Sequence, residues 1–372
     1  MKKVLLGALA IAAMASCGKN DVNGDGSKPG PDGLVPIELN TSVVSVQSKA
    51  TGTPIVPGTW DDDNDASTPE VAVKFKPTFI GYEGTTEPNY GSATANWVTT
   101  GEMEIANTAK AVTFDPAQYY NASNAIKTYV LGVYPKISEA ASAITAGKVT
   151  FATKDGYQDA MLAFGATNTT SISVSGSKDN KVSEALMFKH LTTQLNFQMI
   201  KAASYKDFVI KECKINEAKL PTGIDLYAKG ATWDATAAAL VINTELKGKP
   251  VAGTPGAAED DPNTADVDET QPVPAPMGIV MIKPGEKVIM TITAGPDATQ
   301  APYGKTNSYD PTADDVTYTV TVSDQTVTPK VGPELKESNA HKVTLTFTLQ
   351  GIDVQAGVTD WTPGTDINCP VM

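Results

Sequence analysis

The sequence predicts an all-β protein built from two antiparallel β-sandwich domains in tandem, set behind a polar leader. Three observations carry that expectation. With 41% hydrophobic, 7% aromatic and 19% charged residues, the 372-residue chain is apolar enough to bury cores and too polar to be a multi-span membrane protein. Gly 30 and Pro 25 supply many turns. Period-2 alternation rich in β-branched residues recurs between turn residues, and no long stretch carries a convincing period of 3.6.

The elements follow in chain order. Lys2 and Lys3 precede an apolar run from Val4 to Ala15, too short for a permanent transmembrane helix but suited to a signal-peptide core. The run ends Met14-Ala15-Ser16-Cys17, which resembles the bacterial lipoprotein signal. There the residues before the Cys are removed and Cys17 is acylated; each buried methylene of its acyl chains contributes ~0.8 kcal/mol to membrane attachment. Residues 1–16 are thus the expected signal peptide. Residues 17–33 are polar and Gly-rich, a flexible tether to the outer membrane.

Strands are expected at 37–46, 71–82, 102–105, 111–114, 127–134, 148–152, 160–166 and 171–175. Residues 138–146 are Ala-rich before Gly147 and suit two helical turns. A polar, turn-forming run then divides an N-terminal domain, 34–176, from a C-terminal one, 177–372. In the second, strands are expected at 193–200, 208–215, 218–220, 239–244, 277–282, 287–293, 317–322, 342–349 and 352–359, with an acidic, Pro-rich surface loop over 252–276.

Charge and chemistry exclude several functions. All 29 basic residues are Lys against 42 acids, a net charge of −13, which argues against a nucleic-acid partner. Asp21, Asn23, Asp25, Gly26 and Asp32 have calcium-loop spacing but lack flanking helices and include Pro29 and Pro31; Asp61, Asp63 and Asp65 lack the Gly and Glu such a loop needs. No metal site and no cofactor is expected. His190 and His341 are isolated near strand starts, and no His-Glu-x-x-His, Cys-x-x-Cys, Gly-x-Ser-x-Gly or phosphate loop occurs, so the chain reads as a non-enzyme. Cys213 and Cys369 form no metal or redox motif; an envelope location permits a disulfide, and two free thiols fit equally well. Trp60, Trp97, Trp233 and Trp361 suit core packing more than sugar stacking, though a glycan-binding surface lipoprotein remains the rival reading.

Six stretches carry a family likeness in their order along the chain: Cys17; Thr-Ser-Val-Val-Ser-Val-Gln-Ser-Lys-Ala at 41–50; Tyr-Gln-Asp-Ala-Met-Leu-Ala at 157–163; Leu-Met-Phe-Lys-His-Leu-Thr-Thr-Gln-Leu-Asn-Phe-Gln-Met at 186–199; Asn-Ala-His-Lys-Val-Thr-Leu-Thr-Phe at 339–347; and Val-Thr-Asp-Trp-Thr-Pro-Gly at 358–364. Together they resemble the fimbrillin family, the lipoprotein-derived pilins of the type V pili of Bacteroidales. The resemblance implies transthyretin-like sandwiches, a structural role in a fimbrium at the cell surface, and other pilin subunits as partners in a head-to-tail polymer. It leaves room for a receptor on a host or bacterial surface.

It also implies removal of the first strand by a protease and its replacement by a strand of the next subunit. The matching cut lies between Lys49 and Ala50, where many relatives carry Arg; this chain has none, so a Lys-cleaving protease is required or the segment is retained, as in an anchor. Ile37, Leu39, Val44 and Val46 then belong to the lost strand and its flank. The donor is expected in the C-terminal strands, with Val354 and Val358 as candidates and 362–372 as a docking arm, since Pro363, Gly364 and Pro370 do not suit a central strand. No stretch resembles a third, lectin-like domain, which favours a stalk or minor subunit.

Overall fold

In the computed structural model the described residues are 34–43, 74–104, 110–152, 156, 157, 159–203, 205, 207–254, 273–297, 314–348 and 350–360. The fold is all-β. Its first twelve strands are β1 (Asn40–Val43), β2 (Lys74–Phe75), β3 (Thr78–Gly84), β4 (Trp97–Glu104), β5 (Lys110–Ala111), β6 (Thr113–Asp115), β7 (Lys127–Tyr134), β8 (Ile144–Thr145), β9 (Lys148–Thr150), β10 (Met161–Gly165), β11 (Val174–Gly176) and β12 (Leu186–His190). Ten of them form one sheet in the order β2-β4-β3-β7-β10-β12-β1-β5, with β6 on β4 and β11 on β7.

Strand β7 shows why this sheet is central. Tyr129, Leu131 and Val133 point into one apolar cluster, Val130 and Tyr134 into another, so its sequence is nearly continuously hydrophobic. Both faces must therefore be covered. One is closed by β8 and β9 together with a hairpin from later in the chain, β15 (Pro221–Asp225) and β16 (Gly230–Trp233), which brings Ile224 and Leu226 into the core. The other is closed by Ile37, Leu39, Phe114 and Tyr120.

The second half is a sandwich of two four-stranded sheets. One sheet has the order β18-β13-β21-β22, formed by β13 (Thr193–Lys201), β18 (Ala275–Ile282), β21 (Asn339–Thr348) and β22 (Gly351–Asp360). The other has the order β17-β14-β19-β20, formed by β14 (Phe208–Ala218), β17 (Ala238–Val241), β19 (Val288–Pro296) and β20 (Val316–Ser323). Phe197, Val343 and Phe347 of the first sheet meet Ile210, Met290 and Ile292 of the second in a single core. In β14 the inward phase changes from Phe208 and Ile210 to Cys213 and Ile215, because a bulge shifts the register between Ile210 and Glu212.

Four observations differ from the sequence expectations. Two segments cross the division expected after residue 176: β12 pairs with β10 and β1, and the β15–β16 hairpin pairs with β9. Two contacts, β1 with β12 and β13 with β21, are parallel rather than antiparallel. Residues 138–146 form only a 3₁₀ turn, Ala141–Ala143, before β8. Gly147 is not a helix stop but half of the tight turn joining β8 to β9: Ala146 (φ 48) and Gly147 (φ 71) both adopt the left-handed region that a two-residue hairpin turn demands.

The two halves meet at a buried polar joint. Asp159 is hydrogen-bonded to His190 Nδ1, and the Thr192 hydroxyl donates to the same carboxylate at 2.6 Å. All three side chains are buried. Ser338, at the entrance to β21, donates its hydroxyl to the His190 carbonyl at 2.6 Å and its N–H to the Thr192 carbonyl at 3.0 Å.

Candidate functional site

The site is the place occupied by the N-terminal segment. Residues 35–43 lie extended along two partners in succession, which overlap at Thr41. On one side the chain at 110–120 runs antiparallel: Ile37 N–H donates to the Gln118 carbonyl at 2.8 Å, Tyr120 N–H to the Val35 carbonyl at 3.0 Å, and Val112 N–H to the Leu39 carbonyl at 2.9 Å. Asn40 and Thr41 then pair with Ala111 and Lys110. On the other side β1 runs parallel to β12, with Thr41 opposite Leu186, Ser42 opposite Met187 and Val43 opposite Phe188.

Alternate residues of this segment fill the floor. Ile37, Leu39 and Thr41 are at most 4% exposed, whereas Glu38 and Asn40 face solvent. The floor is built from Phe79, Val130, Met161, Leu186 and Phe188. The Phe188 ring meets Phe79 edge-on at 6.0 Å between centroids, and Phe79 meets Phe114 at 5.2 Å. Gly132 of β7 makes this possible: a Cβ there would stand 2.4 Å from Phe188 Cζ. At the rim, the buried Tyr120 hydroxyl accepts the Val182 N–H at 2.8 Å, and burial raises its phenol above the ordinary range. Lys181 reaches Glu38 at 3.9 Å, a solvated pair of small energetic value.

Of the residues singled out from sequence, Cys17, Val44, Val46, Lys49 and Ala50 lie outside the described residues, as do Trp60, Trp361, Cys369, the tail 362–372 and both acidic loops of calcium-like spacing. Val354 lies on β22 opposite Leu345, half-buried against the second core, and Val358 pairs with His341. Among the described residues β22 has β21 as its one partner and forms an edge of its sheet. The structure thus brings Ile37 and Leu39 together in one groove and sets Val354 and Val358 on a strand of the other half.

The remaining reactive groups are structural. His190 serves the joint, and His341 is fully buried with both ring nitrogens unpartnered, its pKa pushed down to about 4 by burial. Cys213 is a buried free thiol raised to about 12 by burial and the nearby Glu212 carboxylate, which makes it unreactive. Trp97 is half-buried beside Gly81 and Phe114, and Trp233 is half-buried on β16. Among the described residues the aromatic that faces solvent is Tyr227, 68% exposed on the β15–β16 turn, where Asp225 accepts the N–H groups of Tyr227 and Ala228. Sequence reading passed over it because one Tyr in a turn carries no pattern. Among the described residues no group of three or more His, Cys, Asp or Glu side chains is placed to hold a metal ion, and no helix is long and apolar enough to cross a membrane.

Neither a family model nor a curated protein matches the chain. Solved structures do. A candidate cell adhesion protein of Bacteroides uniformis is similar at 15% identity and a TM-score of 0.47, over 90% of this chain and 100% of that one. A fimbrial protein of Bacteroides vulgatus is similar at 12% identity and a TM-score of 0.34, over 87% and 99%. The tip fimbrial protein Mfa3 of Porphyromonas gingivalis, truncated at its C-terminus, is similar at 7% identity and a TM-score of 0.39, over 77% and 94%.

Proposed function

We propose that this protein is a structural subunit of a cell-surface pilus, exported as a lipoprotein on Cys17 and polymerised by strand exchange once its N-terminal segment has been cut away after Lys49. The observation that carries the reading is the pairing of residues 35–43 with two walls in turn, 110–120 along 35–41 and β12 along 41–43. With Ile37, Leu39 and Thr41 buried, this segment leaves, when removed, unpaired backbone on both walls and an apolar floor. Such a groove is a receptor for another extended strand. Lys49 stands six positions after the end of β1 and is the single Lys between Val43 and Lys74, so one cut by a Lys-directed protease separates the segment from the rest of the chain.

The donor comes from the C-terminal strands of the next copy, around Val354 and Val358, and because groove and donor occupy different parts of the chain the contact repeats without closing. An anchored form that keeps its N-terminus and its lipid is the alternative state. Limited digestion with a Lys-specific protease, followed by intact mass and size measurement, tests the reading. New chains beginning at Ala50 and growing into larger assemblies are expected. Cleavage after Lys49 that leaves a stable monomer would overturn it, as would complete resistance at that bond.

A further inference from the structure

The segment that fills the groove and the edge strand at the far end of the chain share a sequence pattern. Residues 37–43 read Ile-Glu-Leu-Asn-Thr-Ser-Val and residues 352–358 read Ile-Asp-Val-Gln-Ala-Gly-Val. Ile and Val are kept at the ends, acid matches acid, amide matches amide, and each remaining position is an equal or smaller residue. The burial alternation is shared too. Ile37, Leu39 and Thr41 are buried while Glu38 and Asn40 are exposed; Ile352, Val354 and Ala356 are half-buried while Asp353 and Gln355 are exposed.

We propose that residues 352–358 of a second copy enter the groove in place of 37–43, position for position and in the same direction, parallel to β12. This rests on the strand-exchange reading above and fixes its register. In that register Ala356, Gly357 and Val358 take the places of Thr41, Ser42 and Val43 opposite Leu186, Met187 and Phe188. Ile352 and Val354 enter the positions of Ile37 and Leu39, and no side chain entering a buried position is larger than the one it replaces; Gln355 is longer than Asn40, which faces solvent. Asp353 takes the position of Glu38, which faces Lys181. In its own sheet β22 has one ladder and half-buried apolar side chains; the groove buries the positions of Ile37, Leu39 and Thr41 fully, so the exchange gains apolar burial.

Cysteine cross-linking between two full-length copies reads the register. Each copy carries a unique protease site between residues 49 and 50 and Cys369→Ser; one carries Met187→Cys, the other Gly357→Cys. Met187 is half-buried and Gly357 lies on an edge strand, so both variants are expected to fold. After cleavage and mild oxidation a mixed disulfide dimer is expected, and before cleavage none, because Ser42 occupies the position. Moving the second Cys to Gln355 or Thr359 displaces it by about 7 Å, beyond disulfide reach. Cross-linking strongest at Gln355 or Thr359 overturns the register and leaves strand exchange standing. Cleaved protein that stays monomeric with every pair overturns strand exchange itself. Val354→Leu restores the methylene that Leu39 supplies and should tighten association about fourfold; unchanged or weaker association overturns the assignment of Val354 to that pocket.

Discussion

The two halves of the chain close their cores in opposite ways. The second half has two sheets of four strands, and its core is lined by residues of those strands and their immediate connections. The first half borrows. Its central sheet is apolar on both faces, one finished by a hairpin at 221–233 and the other by the segment at 35–41. The difference teaches which half can be opened. Removing the N-terminal segment from the first half uncovers an apolar face and frees β5 and one edge of β12 while the strands from β2 to β12 stay paired, whereas among the described residues the sandwich has no comparable detachable cover in its centre.

Three changes would break or sharpen that contrast. The largest effect is expected from Leu226→Asp, which places a charge on the fully buried cover of the first half at a cost of about 4 kcal/mol or more. Amide exchange should rise across β3, β7 and β10 while β19 and β21 stay protected; equal loss in both halves would mean that they unfold as one unit.

The second is acid sensitivity seated in the second half. Folded His341 resists protonation down to about 4, while the unfolded chain accepts the proton near the ordinary 6.5. The unfolded state therefore binds more protons between these values. Stability is complete above about pH 6.5 and falls by about 3 kcal/mol as the pH drops towards 4. His341→Leu should abolish that part of the decline in denaturant titrations at pH 7 and pH 4.5; an unchanged slope would assign the acid sensitivity elsewhere.

The smallest is expected at the joint. Thr192→Val removes the hydroxyl that holds the Asp159 carboxylate and should cost about 2 kcal/mol, with exchange at Leu191 and Ser338 rising before either core is affected. An effect confined to one core would show that the joint does not couple the halves.

Most strands were legible because alternation is a local signal. Lys127–Tyr134 is an expected strand found with its expected bounds, whereas of the strand expected at 37–46 the described residues show Asn40–Val43, with Ile37 and Leu39 buried ahead of it. Allegiance was not legible. Leu186–His190 alternates well, yet nothing local says that it pairs in parallel with residues some 145 positions earlier. The hairpin 221–233 is short and Gly-interrupted, so its role as a lid on a distant sheet depends on contacts that no window of sequence contains. Residues 138–146 misled for a related reason: Ala favours a helix, but two consecutive left-handed residues and the close approach of Gly147 to the Tyr90 carbonyl decide for a hairpin. For the groove, the wall at 110–120 and Gly132 beneath the Phe188 ring are likewise products of assembly.

The two-walled seat of the N-terminal segment also sets how the molecule answers a pull. A strand held first by one wall and then by the other and tugged lengthwise strains its rungs together, so it yields only at high force. An edge strand such as β22 can be peeled from its single neighbour one rung at a time. In the proposed exchange residues 352–358 would pass from a seat that peels to one that shears, and a filament joined this way would be stiffest under the flow that tries to strip it from a cell.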